Sequence, residues 1–294
     1  MTESLSQSEI PIHSDEEKAW LCAANNADLY QAVFRAHGRP DHRTDTFWSS
    51  DAIAPPYYSN MTTLDPNGGA DQFVEIARLT DRLGRRPSLK DGFSTLDLTG
   101  KGFRLLFTAS WVWAEPCGTP ASSTQGWERV RDATALNRWE RAWKEAGSAS
   151  DANVFPTSLL SEPDLHIYGR STGHGFDAGC IVNRSSHTVG VSNIFSLSDT
   201  PPAFRDAVLL AGNAFSRDLP LVGYDHGIAL DELLKLGFKP VGQLRVWLPE
   251  TDTWEPIPDR SQTALANCES NATLIKMVEL GKSDHVLARG ISFE

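Results

Sequence analysis

The tetrapeptide Tyr224-Asp225-His226-Gly227 gathers more reactive side chains than any other stretch of the sequence. It follows a short apolar run, Leu219 to Tyr224, and precedes a helical pattern that begins at Ile228. It therefore lies where a buried strand hands over to a helix, and in open α/β sheets ligands collect at that carboxyl end. A histidine with its ordinary pKa near ~6.5 is suited to take a proton from an amine or a hydroxyl. A plainer reading of the same residues makes Asp225 the cap of the following helix and leaves His226 exposed in its first turn. A second polar pair, Ser192-Asn193, interrupts the strand-like run TVGVSNIFSL, where it must find hydrogen-bond partners or mark a bulge. His166 reads as a pocket or core residue, and His174 and His187 as solvated turn residues. No H-E-x-x-H or Walker sequence is present, and GRSTGHG (169–175), which contains the spacing Gly-x-Ser-x-Gly, reads as a hairpin turn and not as a nucleophile elbow. Cys22, Cys117, Cys180 and Cys268 lie far apart and form no C-x-x-C pair, so neither a metal centre nor a redox dithiol is expected.

The elements that must position these residues follow from periodicity. Asp15 to Ala36 is helical in pattern, and Asn25-Asn26 predicts a break in it. Asp71 to Leu83 is a helix with Phe73, Ile76, Ala77 and Leu83 on one side. Phe103 to Trp113 alternates as a strand with Phe103, Leu105, Phe107, Ala109, Trp111 and Trp113 on one face. Residues 115–126, EPCGTPASSTQG, have linker composition. Beyond them come a helix from Thr134 to Ala146, strands at 164–170, 178–183 and 188–197, and a helix from Ala203 to Arg217. A strand at 219–224, a helix at 228–236 with Leu230, Leu233 and Leu234 inward, and a strand at 240–248 complete the pattern. Hairpin strands followed by alternating strands and helices predict a mixed sheet in an α/β (mixed α+β) fold.

Composition narrows the function classes. The chain has 294 residues, 40% hydrophobic and 22% charged, which suits a packed core and argues against disorder. A formal charge of −11 repels phosphate backbones, so no nucleic-acid partner is expected. No apolar run approaches the ~20 residues of a membrane span. The polar, acidic N-terminus lacks the pattern of a secretory signal, and the expected location is the cytoplasm.

The element order over residues 127–249 resembles the GNAT superfamily of N-acetyltransferases. The residues that carry the resemblance are LLKLGF (233–238) leading into PVGQLRVWL, and TVGVSNIFSL, which is similar to the family strand that splays from its neighbour, here LPLVGYD. The resemblance implies a GNAT-like mixed sheet flanked by helices and an acyl-CoA-dependent acyltransferase, with acetyl-CoA as co-substrate and a small-molecule acceptor. It implies that the backbone of Val191, Ser192, Ile194 and Phe195 holds the pantetheine arm, that Phe204 and Arg205 meet the phosphates, and that Asn193 adds an oxyanion donor. His226 or Asp225 then accepts the proton, and Tyr224 protonates the thiolate.

Two departures from the family pattern stand out. Its glycine-rich pyrophosphate turn is replaced by SLSDTPPAFRDA, which has no glycine, two prolines without N–H groups, and Asp199. Its tyrosine acid, four residues before the Gly-Phe glycine, is replaced by Leu233. These departures keep two alternatives open: a degenerate GNAT-fold protein that binds a ligand or partner, and a coenzyme-independent lyase or isomerase. LDLTGKGFRLLF (96–107) also parallels LDELLKLGFKPVG (230–242), which suggests a truncated tandem copy. The expected organisation is a tail (1–14), a degenerate half (15–114), a linker (115–126), the GNAT-like domain (127–249) and a C-terminal extension (250–294).

Overall fold

A computed structural model describes residues 13–116, 124–148, 150–197 and 203–250. Most of the expected tail, the greater part of the linker with Cys117, the residues Asp199 to Pro202, and the C-terminal extension with Cys268 lie outside the described residues.

In chain order the elements are α1 (Asp15–Ala36), β1 (His42–Arg43), β2 (Phe47–Ser49), β3 (Met61–Thr63), α2 (Gly69–Leu83), β4 (Leu89–Asp91) and β5 (Phe103–Ala114). They continue with β6 (Trp127–Arg129), α3 (Ala133–Glu145), a short 3-10 turn (Thr157–Ser161), β7 (Leu165–Thr172), β8 (Gly175–Arg184) and β9 (Val189–Ser196). The last are α4 (Ala203–Ala214), β10 (Leu221–Asp225), α5 (Gly227–Lys235) and β11 (Lys239–Pro249). All the strands join one mixed sheet in the order β1-β2-β3-β4-β11-β5-β10-β9-β8-β7-β6. Strands from both sides of residues 115–126 thus share one sheet: β5 lies antiparallel between β10 and β11.

The segments 96–107 and 230–242 share a local backbone geometry at their Gly-Phe steps, which does not establish a tandem copy. Gly102 (φ 80°) and Gly237 (φ 94°) both take left-handed backbone, which glycine adopts without strain. Each leads into a buried phenylalanine and a long strand, and those strands, β5 and β11, pair with one another. Upstream the likeness lapses, since Leu96 to Gly102 forms turns and Leu230 to Lys235 forms a helix.

Helix α1 corrects the expected break. Ser14 closes a capping box with Glu17, and the helix runs unbroken through 22 residues. Asparagine weakens helices by bonding to its own backbone; here both side chains are engaged elsewhere. The Asn25 amide donates to the Thr188 carbonyl at 3.4 Å, and Asn183 Nδ2 donates to Asn25 Oδ1 at 3.1 Å. Asn26 Oδ1 accepts from Lys90 Nζ at 2.8 Å. Asn25→Ala should lower stability by about 1–3 kcal/mol, because it removes one of the two acceptors of the buried Asn183 amide, which keeps the Asn25 carbonyl, and the donor to the Thr188 carbonyl. A lower urea midpoint at unchanged slope is the expected result.

Helices cover both faces. Leu29, Val33 and Phe34 of α1 and Leu136, Trp139 and Trp143 of α3 pack on Trp111, Trp113 and Ile181. Ala207 and Ala211 of α4 and Leu233 of α5 pack on Val112, Cys180 and Val182. Trp48, Trp111, Trp113, Trp139 and Trp143 join residues from both halves in one cluster, as their number and size predict. Three facial assignments are corrected. On α2, Phe73 and Ala77 are exposed, and the buried residues are Gln72, Glu75, Ile76 and Leu79. On β5, Leu105 is 45% exposed; the strand carries a register shift between Leu105 and Phe107, opposite Val246/Trp247, which moves Leu105 off the expected face. Leu234 is also exposed, and the buried stripe of α5 is Ala229 with Leu233.

Candidate active site

Strands β9 and β10 run parallel and pair only at Leu221↔Val189 and Val222↔Gly190. Beyond that point β9 continues to Ser196 and β10 to Asp225 without pairing each other. Pairing ends at Val222, and the backbones are still close at Gly223, where an added Cβ would stand 3.0 Å from the Val191 carbonyl oxygen. On its other side β9 stays paired to β8, with Asn193 and Ile194 set against Cys180 alone. Asn193 adopts φ 51°, so this is a bulge with one extra residue in β9. It exchanges the faces of the strand: Val189 and Val191 pack toward α4, as does Ile194, whereas Phe195 crosses to meet Trp139 at 5.2 Å. Only the backbone of Phe195 is therefore left to face the wedge, and Ser192 oxygen accepts from Asn193 Nδ2 at 3.2 Å. Helix α5 begins at the open end of the wedge, directly after β10. Helix α4 follows β9, with Phe204 half-buried in the core beneath it and Arg205 exposed.

The tetrapeptide closes this end. Asp225 is buried, and its carboxylate accepts the His226 backbone N–H at 2.8 Å. Burial holds its pKa well above the carboxylate range, with that hydrogen bond opposing. The N-cap residue of α5 is His226, and no side chain caps the helix, so the capping role considered for Asp225 is not seen. The His226 ring lies 5.0 Å from that of Phe107, and its Nε2 is buried without a hydrogen-bond partner among the described residues. Burial lowers its pKa, which favours the neutral ring.

Tyr224 stands edge-on to Trp111 at 5.4 Å. Burial and then Asp225 push its phenol up. Around it are residues that sequence reasoning missed. Lys90 Nζ lies 4.0 Å from the Tyr224 ring centroid and 4.6 Å from that of Tyr30. Tyr30 and Tyr58 stack edge to face at 4.9 Å. The Tyr58 hydroxyl is buried with no well-formed hydrogen bond among the described residues; the Asn193 amide near it offsets part of the upward push that burial gives its pKa. Lys90 sits in a three-residue strand, too short for periodicity to register, and Tyr58 in a Pro-Pro-Tyr-Tyr loop. No sequence signal pointed to either.

His166 belongs to the core reading. Its ring stacks on Phe215 at 4.3 Å, and burial with nearby Arg129, Arg131 and Arg184 depresses its pKa to about 4. An open cleft of about 490 Å³ at the opposite end of the sheet is lined by Asp28, Arg35, Glu162, Asp164 and Arg184. These charges are engaged in ion pairs, Arg43 with Asp28, Arg35 with Glu162 and Arg184 with Asp164. Among the described residues no cluster of histidine, cysteine or carboxylate side chains is placed to hold a metal ion, and no helix is long and apolar enough to cross a membrane.

A GCN5-related N-acetyltransferase from Kribbella flavida superposes on this architecture with a TM-score of 0.52 and 14% identity, over 78% of this chain and 94% of that one. The fold is GNAT-like. A functionally unknown conserved protein from Staphylococcus epidermidis ATCC 12228 superposes with a TM-score of 0.50 and 14% identity, over 72% of this chain and 94% of its own. No family model matches the sequence, and no curated protein does. In this GNAT-like chain the parted strands are β9 and β10, as the run TVGVSNIFSL beside LPLVGYD implied. The expected site residues Asn193, Tyr224, Asp225 and His226 all lie on the unpaired stretches of these strands or directly after them.

Proposed function

We propose that the chain is an acyltransferase that uses acetyl-CoA or another acyl-CoA on a small amine or alcohol. The observation that carries this reading is the wedge: two parallel strands joined by two residue pairs, then parted beside a bulge. The unpaired β9 backbone from Val191 onward offers polar groups to a narrow, extended amide-bearing arm. The Tyr58 hydroxyl and His226 Nε2, both buried without a well-formed hydrogen bond among the described residues, are polar atoms that a substrate would satisfy. The acyl-CoA supplies the thioester. His226, kept neutral by burial, accepts the acceptor's proton at Nε2. Asn193 stands at the bulge as a donor toward developing negative charge. Tyr224 replaces the acid lost at Leu233 and donates its phenolic proton to the departing thiolate. Asp225 holds the backbone that carries His226. Phe204 and Arg205, at the start of α4, are the side chains assigned to the phosphate end of the coenzyme.

A second reading is favoured by one observation. Leu233, at the family's acid position, is 3% exposed and packs in the α4–α5 core, so that position has been given over to structure. The wedge would then bind a ligand without transferring an acyl group, or serve a coenzyme-independent lyase or isomerase. Thermal unfolding with acetyl-CoA separates the readings: free coenzyme at 100 times its Kd should add about 2.7 kcal/mol. An unchanged midpoint at millimolar coenzyme would remove the acyltransferase.

A further inference from the structure

Lys90 is a fully buried lysine, 1% exposed, and the reaction as derived gives it no task. Its surroundings are unusual in kind. The ammonium has one conventional acceptor, Asn26 Oδ1 at 2.8 Å. It also faces two π systems, Tyr224 at 4.0 Å and Tyr30 at 4.6 Å. No carboxylate lies within ion-pair distance of it among the described residues. An amide oxygen and two aromatic faces form a set of acceptors only, which complements an ammonium and has nothing to offer a neutral amine's lone pair.

The elements around the pair are accounted for. Helix α1 presents Asn26 and Tyr30, and the loop before β3 presents Tyr58. Strand β5 presents Trp111, and β10 contributes Tyr224 itself, with Asp225 following it. Thr62 and Val246 flank Lys90 in the sheet. Of these, Tyr30, Tyr58 and Asp225 are the titratable neighbours, and each becomes an anion when it ionises. Among the described residues, Lys90 is the basic side chain set against the Tyr224 ring. Desolvation works against its charge, and the two π faces work for it.

We propose that Lys90 is a positioning residue for Tyr224, an ammonium caged between the Tyr30 and Tyr224 rings that fixes the phenol at the mouth of the wedge and eases its loss of a proton. The role rests on the acyltransferase reading, in which Tyr224 must release that proton to a thiolate. The cage also explains why α1 runs straight through Asn26: that amide is the third wall.

The test is chosen to be readable without coenzyme or acceptor. Protein carrying fluorotyrosine, which ionises at lower pH than tyrosine, is titrated by fluorine NMR, and the residue-224 signal is identified by its loss in Tyr224→Phe. Lys90→Met, which keeps the chain's bulk and removes the charge, should move the residue-224 titration up by about one pH unit. Lys90→Arg, which keeps a cation able to stack on the rings, should restore most of the shift. A residue-224 titration at the same pH in wild type and Lys90→Met overturns the proposal. So does a shift that Lys90→Arg fails to reverse, because a packing effect alone would produce it. Lys90→Met is expected to fold, since an apolar side chain of similar volume is tolerated at a buried charge. Where wild type transfers acyl groups, Lys90→Met should lower kcat with KM for acyl-CoA unchanged, and the alkaline fall in rate should move to higher pH. Failure of coenzyme binding would overturn the acyltransferase reading and leave the fluorine titration intact, so the two outcomes are distinguishable.

Discussion

Replacing Tyr224 by Phe should cut acyl transfer by about 10²–10⁴-fold, the range for losing a positioned general acid. The thermal shift with acetyl-CoA should be retained. The change removes one oxygen from a ring already held edge-on to Trp111 and stacked on Lys90, so the wedge keeps its shape. His226→Ala should give a loss of similar size at the acceptor step. Single-turnover measurement of free thiol release, beside binding of the coenzyme, separates the two roles. Unchanged turnover in either variant would strike that residue from the mechanism. Asp225→Asn distinguishes the alternative base: a loss as deep as that of His226→Ala would transfer the role to the carboxylate.

Asp225→Asn has a second, larger consequence for stability. Asp225 is 4% exposed, and its hydrogen-bond partner among the described residues is the His226 N–H, a bond that an asparagine Oδ1 can also accept. Burial raises its folded pKa well above the ordinary 3.8. Below that value the carboxyl is protonated in both folded and unfolded chains and contributes no difference. As pH rises past it, the unfolded chain releases the proton while the folded one retains it. Folding is then disfavoured by about 1.4 kcal/mol per pH unit until the folded pKa is reached. The asparagine variant does not titrate. Its stability relative to wild type should climb steadily from pH 4 upward, and by neutral pH it should be the more stable protein. Urea unfolding at several pH values checks this, and a gap that does not vary with pH would show that the carboxyl is ionised when folded.

The second half of the chain was legible because its signals are local. The apolar run from Ala178 to Val182, the stripe through Leu136, Trp139 and Trp143, and the glycine stop at Gly237 each depend on a few nearby residues. The parting of β9 from β10 was legible only through resemblance, since no periodicity records where a ladder ends. Short strands such as β4 and β6 were missed because three residues carry no period. The break expected at Asn25-Asn26 was wrong for a physical reason: a helix-weakening side chain does no harm when a distant partner takes its hydrogen bonds. The same distance hid Lys90, whose significance comes from rings on α1 and β10 far away in sequence. Tyr224, Asp225 and His226 could be singled out together because ligands collect where a buried strand hands over to a helix.

The placement of β5 has a consequence for how the protein is made. Both of its sheet neighbours, β10 and β11, lie in the last quarter of the described chain. A ribosome extrudes Phe103 to Ala114 long before either edge can be covered, and such late, distant pairing slows folding. During synthesis this tryptophan-bearing segment waits with two open flanks, which makes it the place where chaperone protection should matter most and where a nascent chain is most exposed to aggregation.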